Sequence, residues 1–467
     1  MIKTVVMWFR KDLRLEDNTA FLKALAELKT DEQLLCLFQL NPEQFKVGTK
    51  NHDYFFSALV NFEKVAKEHG FPLHFMAGEP LASFQALKQA YPDWQKIYLN
   101  RDSRGKGQVR DEVMTSYFRS QEIEIVATQD SHLHGESSVL KKDGSYYKVF
   151  TPYYRQWRQL PKRPVAKLTD FSGKVVAETE KFEAGQRVFQ EVVAGITLFE
   201  SVGEQRAEDR LNEFVMEEMS RYDRQRDIPA IKGTSRLSPY LRTGELSIRK
   251  VWQVATAMPE SDGQQTFLKE LAWRDFYHMI YSQNPQQNTQ ELKEHYRHLP
   301  WRRDGQLFQR WAEGQTGYPI IDAAMHQLNQ TGWMHNRLRM LVASFLTKDL
   351  LVDWRLGEAY FAEQLIDYDP ASNIGGWQWA ASTGTDAVPY FRIFNPTSQS
   401  EKFDPDGAFI RRYLPVLKEV PKAWIHAPHL MPHEIQEKLG VVVGKDYPQP
   451  MVDHQEARKL VLAFFKQ

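Results

Sequence analysis

The sequence predicts an α/β protein in two parts: an N-terminal parallel α/β domain of the Rossmann-like kind, then a large all-helical domain. Three observations predict it. Short apolar, β-branched runs alternate with helix-like stretches over the first 130 residues, and a segment rich in Pro, Lys, Ser and Gly then breaks the pattern. From residue 199 onward helical periodicity takes over and strand signals vanish.

The elements follow in order. Residues 4–9 (TVVMWF), 34–39 (LLCLFQ), 72–75 (PLHF) and 96–99 (KIYL) read as short buried strands, with helix-like segments such as 19–28 between them. A fifth strand fits 122–128. That alternation predicts parallel pairing through right-handed crossovers. From 129 to 198 little periodicity remains, as expected of a long surface connection, so the boundaries are 1–130, 131–198 and 199–467. The 467-residue length, above the size at which one core usually stops growing, agrees with two domains.

Composition excludes several classes. Sixty Lys plus Arg balance sixty Asp plus Glu, so any nucleic-acid binding must come from a local basic patch. The single cysteine, Cys36, rules out an internal disulfide framework and a multi-cysteine metal site, and fits a reducing, cytoplasmic compartment. Arg10, Lys11 and Asp12 follow the first apolar run at once, which marks a strand rather than a signal peptide. No run of about 18 apolar residues suits a membrane span. Phosphate-binding glycine loops, a nucleophile elbow and HExxH are absent, and His132 and His134 stand without ligand company, so no metal site is expected. Nine of the twelve tryptophans lie beyond residue 250, which gives that part of the chain an unusual stacking inventory.

Four stretches carry chemistry. In a helix predicted over 267–280, Glu270, Trp273, Arg274 and Tyr277 share one face at i, i+3, i+4 and i+7. A carboxylate, two aromatics and an arginine there suit a flat polar ligand and a phosphate; an interhelical salt bridge beside core aromatics fits equally well. A helix predicted from 333 to about 351 places Asn336, Arg339 and Met340 on one side with Arg337 adjacent, and Asp367 and Asp369 are candidate anionic partners, in a ligand site or in a structural ion pair. The stretch GTSRLSP (233–239) offers hydroxyls, with Ser238 and Pro239 as an N-cap and first-turn pair whose amides could hold a diphosphate or form a plain cap. In 371–396 two glycines allow close backbone approach, and Trp377 and Trp379 follow, for either of which core packing is the ordinary reading.

Together GTSRL (233–237), ELAWRDFY (270–277), TGYPIIDAAM (316–325), NRLRMLVASFLTKDLLVDWR (336–355), the 371–396 segment and WFRKDLRLEDN (8–18) resemble the class I photolyases of the photolyase and cryptochrome family over nearly the whole chain. The resemblance implies an N-terminal antenna domain and a helical domain holding FAD, active as FADH−. It assigns Tyr222, Thr234, Ser235, Arg236, Leu237 and Ser238 to the flavin's phosphate and ribityl side. Phe267, Asn336, Arg339, Asp367, Tyr368, Asp369 and Asn373 would surround its rings, with Asn373 against N5. Trp377, Trp354 and Trp301 match the family's electron-carrying tryptophans.

The implied activity is light-driven repair of cyclobutane pyrimidine dimers in DNA by electron transfer to a flipped-out dimer. Glu270 would hydrogen-bond the dimer, and Trp273 and Trp379 would stack on it. Asn336 and Met340 would line the pocket beside Tyr277, while Arg226, Arg274, Arg337 and Arg392 would meet DNA phosphates. Asn336 and Met340 stand where enzymes for (6-4) products carry histidines, which favours cyclobutane dimers. A blue-light photoreceptor of the cryptochrome type and a flavin-free nucleic-acid binder are the alternatives. No obligate protein partner is implied. His326 follows DAAM where arginine is usual, and Phe267 replaces a tryptophan seen in some relatives. Ser103 and Arg104 stand near positions where relatives carry folate-binding residues, so a second, antenna chromophore is left open as folate, deazaflavin, another flavin or nothing.

Overall fold

The computed structural model describes residues 2–169, 173–177 and 180–466. Five strands, β1 (Lys3–Phe9), β2 (Glu32–Leu40), β3 (His74–Ala77), β4 (Lys96–Asn100) and β5 (Glu124–Thr128), alternate with helices α1 (Thr19–Glu27), α2 (Lys50–Glu68), α3 (Pro80–Ala90) and α4 (Gly105–Ser120). All neighbours are parallel, in the order β3-β2-β1-β4-β5. Central β1 is buried along Thr4–Phe9, so it reads as a continuous apolar run rather than an alternating one. Asn18 starts α1 by accepting the amide of Phe21. The core on one side of the sheet gathers Val6, Trp8, Leu35, Leu37, Phe84, Trp94, Ile97 and Phe118.

Two compact units divide the chain. The first comprises Met1–Tyr147, Thr151–Glu217 and Ser235–Gln283, and the second Lys148–Phe150, Glu218–Thr234 and Asn284–Gln467. The α/β unit therefore reaches beyond residue 199 and includes the long helix Asp262–Gln283. The expected irregular connection over 131–198 contains two helices, α5 (Phe150–Gln159) and α6 (Glu183–Ala194). Their apolar contribution is sparse but deep, with Tyr153, Trp157 and Phe189 buried among polar neighbours, which is why no stripe is apparent in the sequence. Residues 170–172 and 178–179 of that stretch lie outside the described residues.

In the first unit the 8–18 motif is structural. Arg14 pairs with Asp130 at 2.7 Å, and Arg249 of the helix Ile248–Ala257 pairs with Asp17 and Asp130, each at 2.7 Å. All four side chains are buried, so each charge depends on its partners. The second unit is helical, as the periodicity predicts, and none of the described helices is long and apolar enough to cross a membrane.

Candidate functional site

The sequence-predicted site residues fall in both units. In the first, the helix Asp262–Gln283 runs longer than the predicted 267–280 and buries Leu268, Leu271, Ala272, Phe276, Met279 and Ile280. Glu270, Trp273, Arg274 and Tyr277 emerge together as its half-exposed face, the arrangement their spacing predicts. Trp273 and Tyr277 stack at 5.5 Å between centroids. Arg274 donates to the carbonyls of Ser131 and Leu241, so its guanidinium is anchored within the unit. Phe267 is buried against Phe214.

The 233–239 stretch departs from expectation in one respect. Leu237, not Ser238, is the N-cap of the helix Ser238–Thr243, and Ser238 and Pro239 form its first turn. The shift arises because Arg236 takes a left-handed φ of 52° and Leu237 already has φ −86° and ψ −8°, so the helical turn closes one residue early. Ser235 holds the turn from both ends: its hydroxyl accepts the Leu237 amide and its carbonyl accepts Arg210 Nε. Ser238 and Arg236 are exposed while Leu237 is buried.

Also within this unit, a cavity of about 560 Å³ is lined by Trp8, Arg101, Asp102, Ser103, Gln108 and Glu136, among others. Ser103 and Arg104 both reach His278, which stacks on His132 at 3.7 Å. Burial, and then the neighbouring His278, hold His132 well below the ordinary histidine range, so it is neutral at pH 7.

In the second unit, the helix predicted over 333–351 is a regular helix only at Asn336–Ser344 and continues as a π-helical turn, Phe345–Asp349. His335 caps it by accepting the Arg337 amide. Asn336 is exposed and its amide approaches the Met340 sulfur at 3.9 Å. Arg339 donates to Asp367 at 2.7 Å and to the Met334 carbonyl at 2.8 Å, which fixes its guanidinium. Arg337 pairs with Asp227 at 2.8 Å and lies over Phe403, so its charge is already partly matched. Arg226 lies over the ring of buried Tyr222. Thr234 is half-buried, and Arg392 is exposed.

Asp369 caps the helix Pro370–Ala380 by accepting the Ser372 amide. Four residues on, Asn373 donates its side-chain amide to the Glu358 carbonyl at 3.3 Å and to Glu358 Oε1 at 3.1 Å, and Tyr368 donates to the same carboxylate at 2.9 Å. Burial raises the Glu358 carboxyl above the usual range. Glu358 thus commits the N–H side of Asn373 and keeps its carbonyl oxygen as an acceptor. Sequence reasoning missed Glu358, because an isolated glutamate on a helix carries no periodic signal.

Trp377 and Trp354 are buried, and Trp301 is half-buried. Trp377 lies on the Trp354–Gln364 helix where Gly357 leaves room: a Cβ there would stand 2.1 Å from the indole Cη2. Gly376 meets nothing within 4 Å of such a Cβ and is exposed, so that side of the Pro370–Ala380 helix admits close approach. Trp379 is half-buried, 6.5 Å from Phe394 in a stacked arrangement. These groups fit a flat heteroaromatic cofactor: a fixed cation, a fixed neutral acceptor and a helix face without a side chain.

Comparison with known proteins agrees. Residues 5–170 match the family described as DNA photolyase, and residues 267–467 the FAD binding domain of DNA photolyase. A deoxyribodipyrimidine photo-lyase from Alkalihalophilus pseudofirmus is 45% identical over 98% of this chain and 97% of its own. Among solved structures, a class III photolyase from Agrobacterium tumefaciens superposes with a TM-score of 0.91 at 33% identity, covering 100% of this chain and 98% of that one. An archaeal photolyase from Sulfolobus tokodaii with two FAD molecules gives 0.84 at 31%, and a Synechocystis cryptochrome 0.87 at 27%, each covering 99% of both chains.

Proposed function

Because this chain belongs to the DNA photolyase family, we propose that it is a deoxyribodipyrimidine photo-lyase that splits cyclobutane pyrimidine dimers in DNA with light and FAD. The observation that carries this reading is the 45% identity to a photo-lyase over nearly the full length of both chains.

FAD, taken in its reduced form FADH−, supplies the light absorption and the electron. The chain's own residues bind and orient. In the second unit Tyr222, Thr234, Asn336, Tyr368 and Asp369 are assigned to flavin contact, and Arg339, held by Asp367, supplies a positive charge suited to an anionic ring. Asn373, held by Glu358, offers its carbonyl oxygen to a protonated ring nitrogen without adding charge. In the first unit Ser235, Arg236, Leu237, Ser238 and Phe267 are the assigned flavin residues. Trp301, Trp354 and Trp377 would carry electrons inward to restore the reduced state.

Toward the lesion, Glu270 would hydrogen-bond the dimer bases and stabilise charge arriving on them. Trp273 and Trp379 would stack on them at about 1–3 kcal/mol per base, which offsets the roughly few kcal/mol needed to flip the lesion out. Tyr277, Asn336 and Met340 would complete the walls. Arg226, Arg274, Arg337 and Arg392 would meet backbone phosphates, although Arg274 and Arg337 must exchange present partners to do so. A second chromophore is part of the reading: the Sulfolobus neighbour holds two FAD molecules, and the cavity of about 560 Å³ in the first unit is of the size that takes a ring system. A cytoplasmic location follows from the lone cysteine and the DNA substrate.

The test is recovery of ultraviolet base absorbance from a dimer-containing oligothymidine under blue light, with the protein's flavin reduced and a dark control. Light-dependent recovery is expected. No recovery from fully reduced, FAD-loaded protein would overturn the repair reading and favour a photoreceptor.

A further inference from the structure

One buried carboxylate of the second unit joins two of the three assigned electron carriers. Glu291 Oε1 accepts the indole N–H of Trp301 at 2.9 Å and that of Trp354 at 3.2 Å, so the two nitrogens lie no further apart than those two bonds laid end to end. Glu291 Oε2 pairs with Arg355 at 2.8 Å, and the side chain is only 3% exposed. Indole nitrogen is a donor only, and a single oxygen that satisfies two of them fixes the rotation of both rings.

The segment carrying Glu291 is itself held from the carriers' own helices. Gln378, next to Trp377, accepts the Leu292 amide at 2.8 Å and donates to the carbonyls of Gln287 at 2.8 Å and Gln290 at 3.0 Å. Arg355, next to Trp354, donates to the Thr289 carbonyl at 2.7 Å and to Asp353 at 2.9 Å. Arg297 clasps the Glu291 carbonyl at 3.0 Å. A carboxylate in an irregular segment is thereby seated against helices that bear Trp354 and Trp377.

We propose that Glu291 is a positioning residue of the tryptophan relay, which holds Trp301 and Trp354 in register and stabilises the positive charge that each carries in turn. The inference rests on the reading of Trp301, Trp354 and Trp377 as electron carriers. The oxidant would be photoexcited, oxidised flavin bound by this chain, and Trp377 would be the residue that gives up the first electron. The hole passes to Trp354 and then to Trp301. Each indole in turn loses one electron and becomes a radical cation, and Trp354 and Trp301 keep their N–H protons in the hydrogen bonds to Glu291. A small thiol in solution returns the electron to Trp301, loses its S–H proton to water, and becomes a thiyl radical that pairs with a second one as a disulfide. A carboxylate bonded to both N–H groups strengthens as an acceptor when the indole becomes positive, whereas a neutral acceptor gains less. Arg355 offsets part of that charge, so the two residues act with opposite sign.

The test uses the FAD-loaded protein and two variants, Glu291→Gln and Arg355→Gln, with Trp301→Phe as the reference for the relay. In the dark, the indole N–H resonances of Trp301 and Trp354 are both expected to move in Glu291→Gln. After a blue flash, the tryptophan radical absorbance of Glu291→Gln is expected to decay about fivefold faster, the difference between a charged and a neutral acceptor. In Arg355→Gln it is expected to decay more slowly, and this variant carries the test if Glu291→Gln fails to fold. Unchanged radical lifetimes in both variants, while Trp301→Phe abolishes the long-lived radical, would overturn the role of Glu291 alone. An undiminished radical in Trp301→Phe would overturn the relay reading and this inference with it.

Discussion

Gly357→Ala would place a methyl group where the Trp377 indole lies. The added Cβ would stand 2.1, 2.5 and 2.7 Å from Cη2, Cζ3 and Cζ2, against an ordinary carbon contact of about 3.5–4.0 Å. All three atoms belong to the far edge of a ring that is 2% exposed and packed against Phe361 and Trp311, so it must move by more than about 1 Å into filled space. Overpacking of this kind costs about 1–3 kcal/mol, or somewhat more when backbone must shift, while alanine in a helix regains about 1 kcal/mol over glycine. The expected net loss is about 2 kcal/mol. Equilibrium urea unfolding followed by circular dichroism measures it, and the tryptophan radical yield after a flash reports whether Trp377 has moved. In a Trp377→Phe background those three atoms are gone, so the penalty should shrink to near zero or reverse. An equal penalty in both backgrounds would refute the steric argument.

Glu358→Ala removes the group that orients Asn373; about 2 kcal/mol of stability should be lost with the buried hydrogen bonds, and FAD should be retained less well on gel filtration, followed by its visible absorbance. Lys348, fully buried beside Ser382 and Phe465, is pushed down to about 7 by burial and then by Lys293. Its folded value lies below the unfolded one near 10.5, so its contribution favours folding above that value and is lost as the pH falls toward 7. Lys348→Met should therefore gain roughly 1–4 kcal/mol at pH 7 and flatten the rise in stability between pH 7 and 10, as read from denaturation midpoints across pH. Trp379→Ala should weaken affinity for dimer-containing DNA by about tenfold or more through lost stacking, with undamaged DNA bound as before, in a fluorescence titration.

Much of this arrangement was legible before any coordinates, and the boundary between legible and hidden is physical. Strands such as 4–9 and 96–99 are short apolar runs that only a two-sided sheet buries, and they lie in β1 and β4. The face Glu270, Trp273, Arg274 and Tyr277 follows from helical spacing alone. The helices over 150–159 and 183–194 escaped notice because each buries only a few large residues between polar ones. The cap at Leu237 rather than Ser238 depends on a left-handed Arg236, which composition does not announce. Glu291 and Glu358 were hidden for a different reason: each acts on residues that are distant in sequence or on another element, and a lone glutamate looks the same whether it faces solvent or two indoles.

Gln378 spends most of its side-chain amide on one segment, accepting from Leu292 and donating to Gln287 and Gln290, while its oxygen also accepts from the Thr383 hydroxyl at 3.4 Å. For an electron that tunnels, the rate falls steeply with every added fraction of an ångström, so a carrier on a loosely hung loop would deliver a spread of rates rather than one. Tying the loop to the neighbour of Trp377 makes its thermal excursions those of a buried helix. The relay should then run at the same speed in glycerol as in water, and the Leu292 amide should be among the last in this unit to exchange its hydrogen for deuterium.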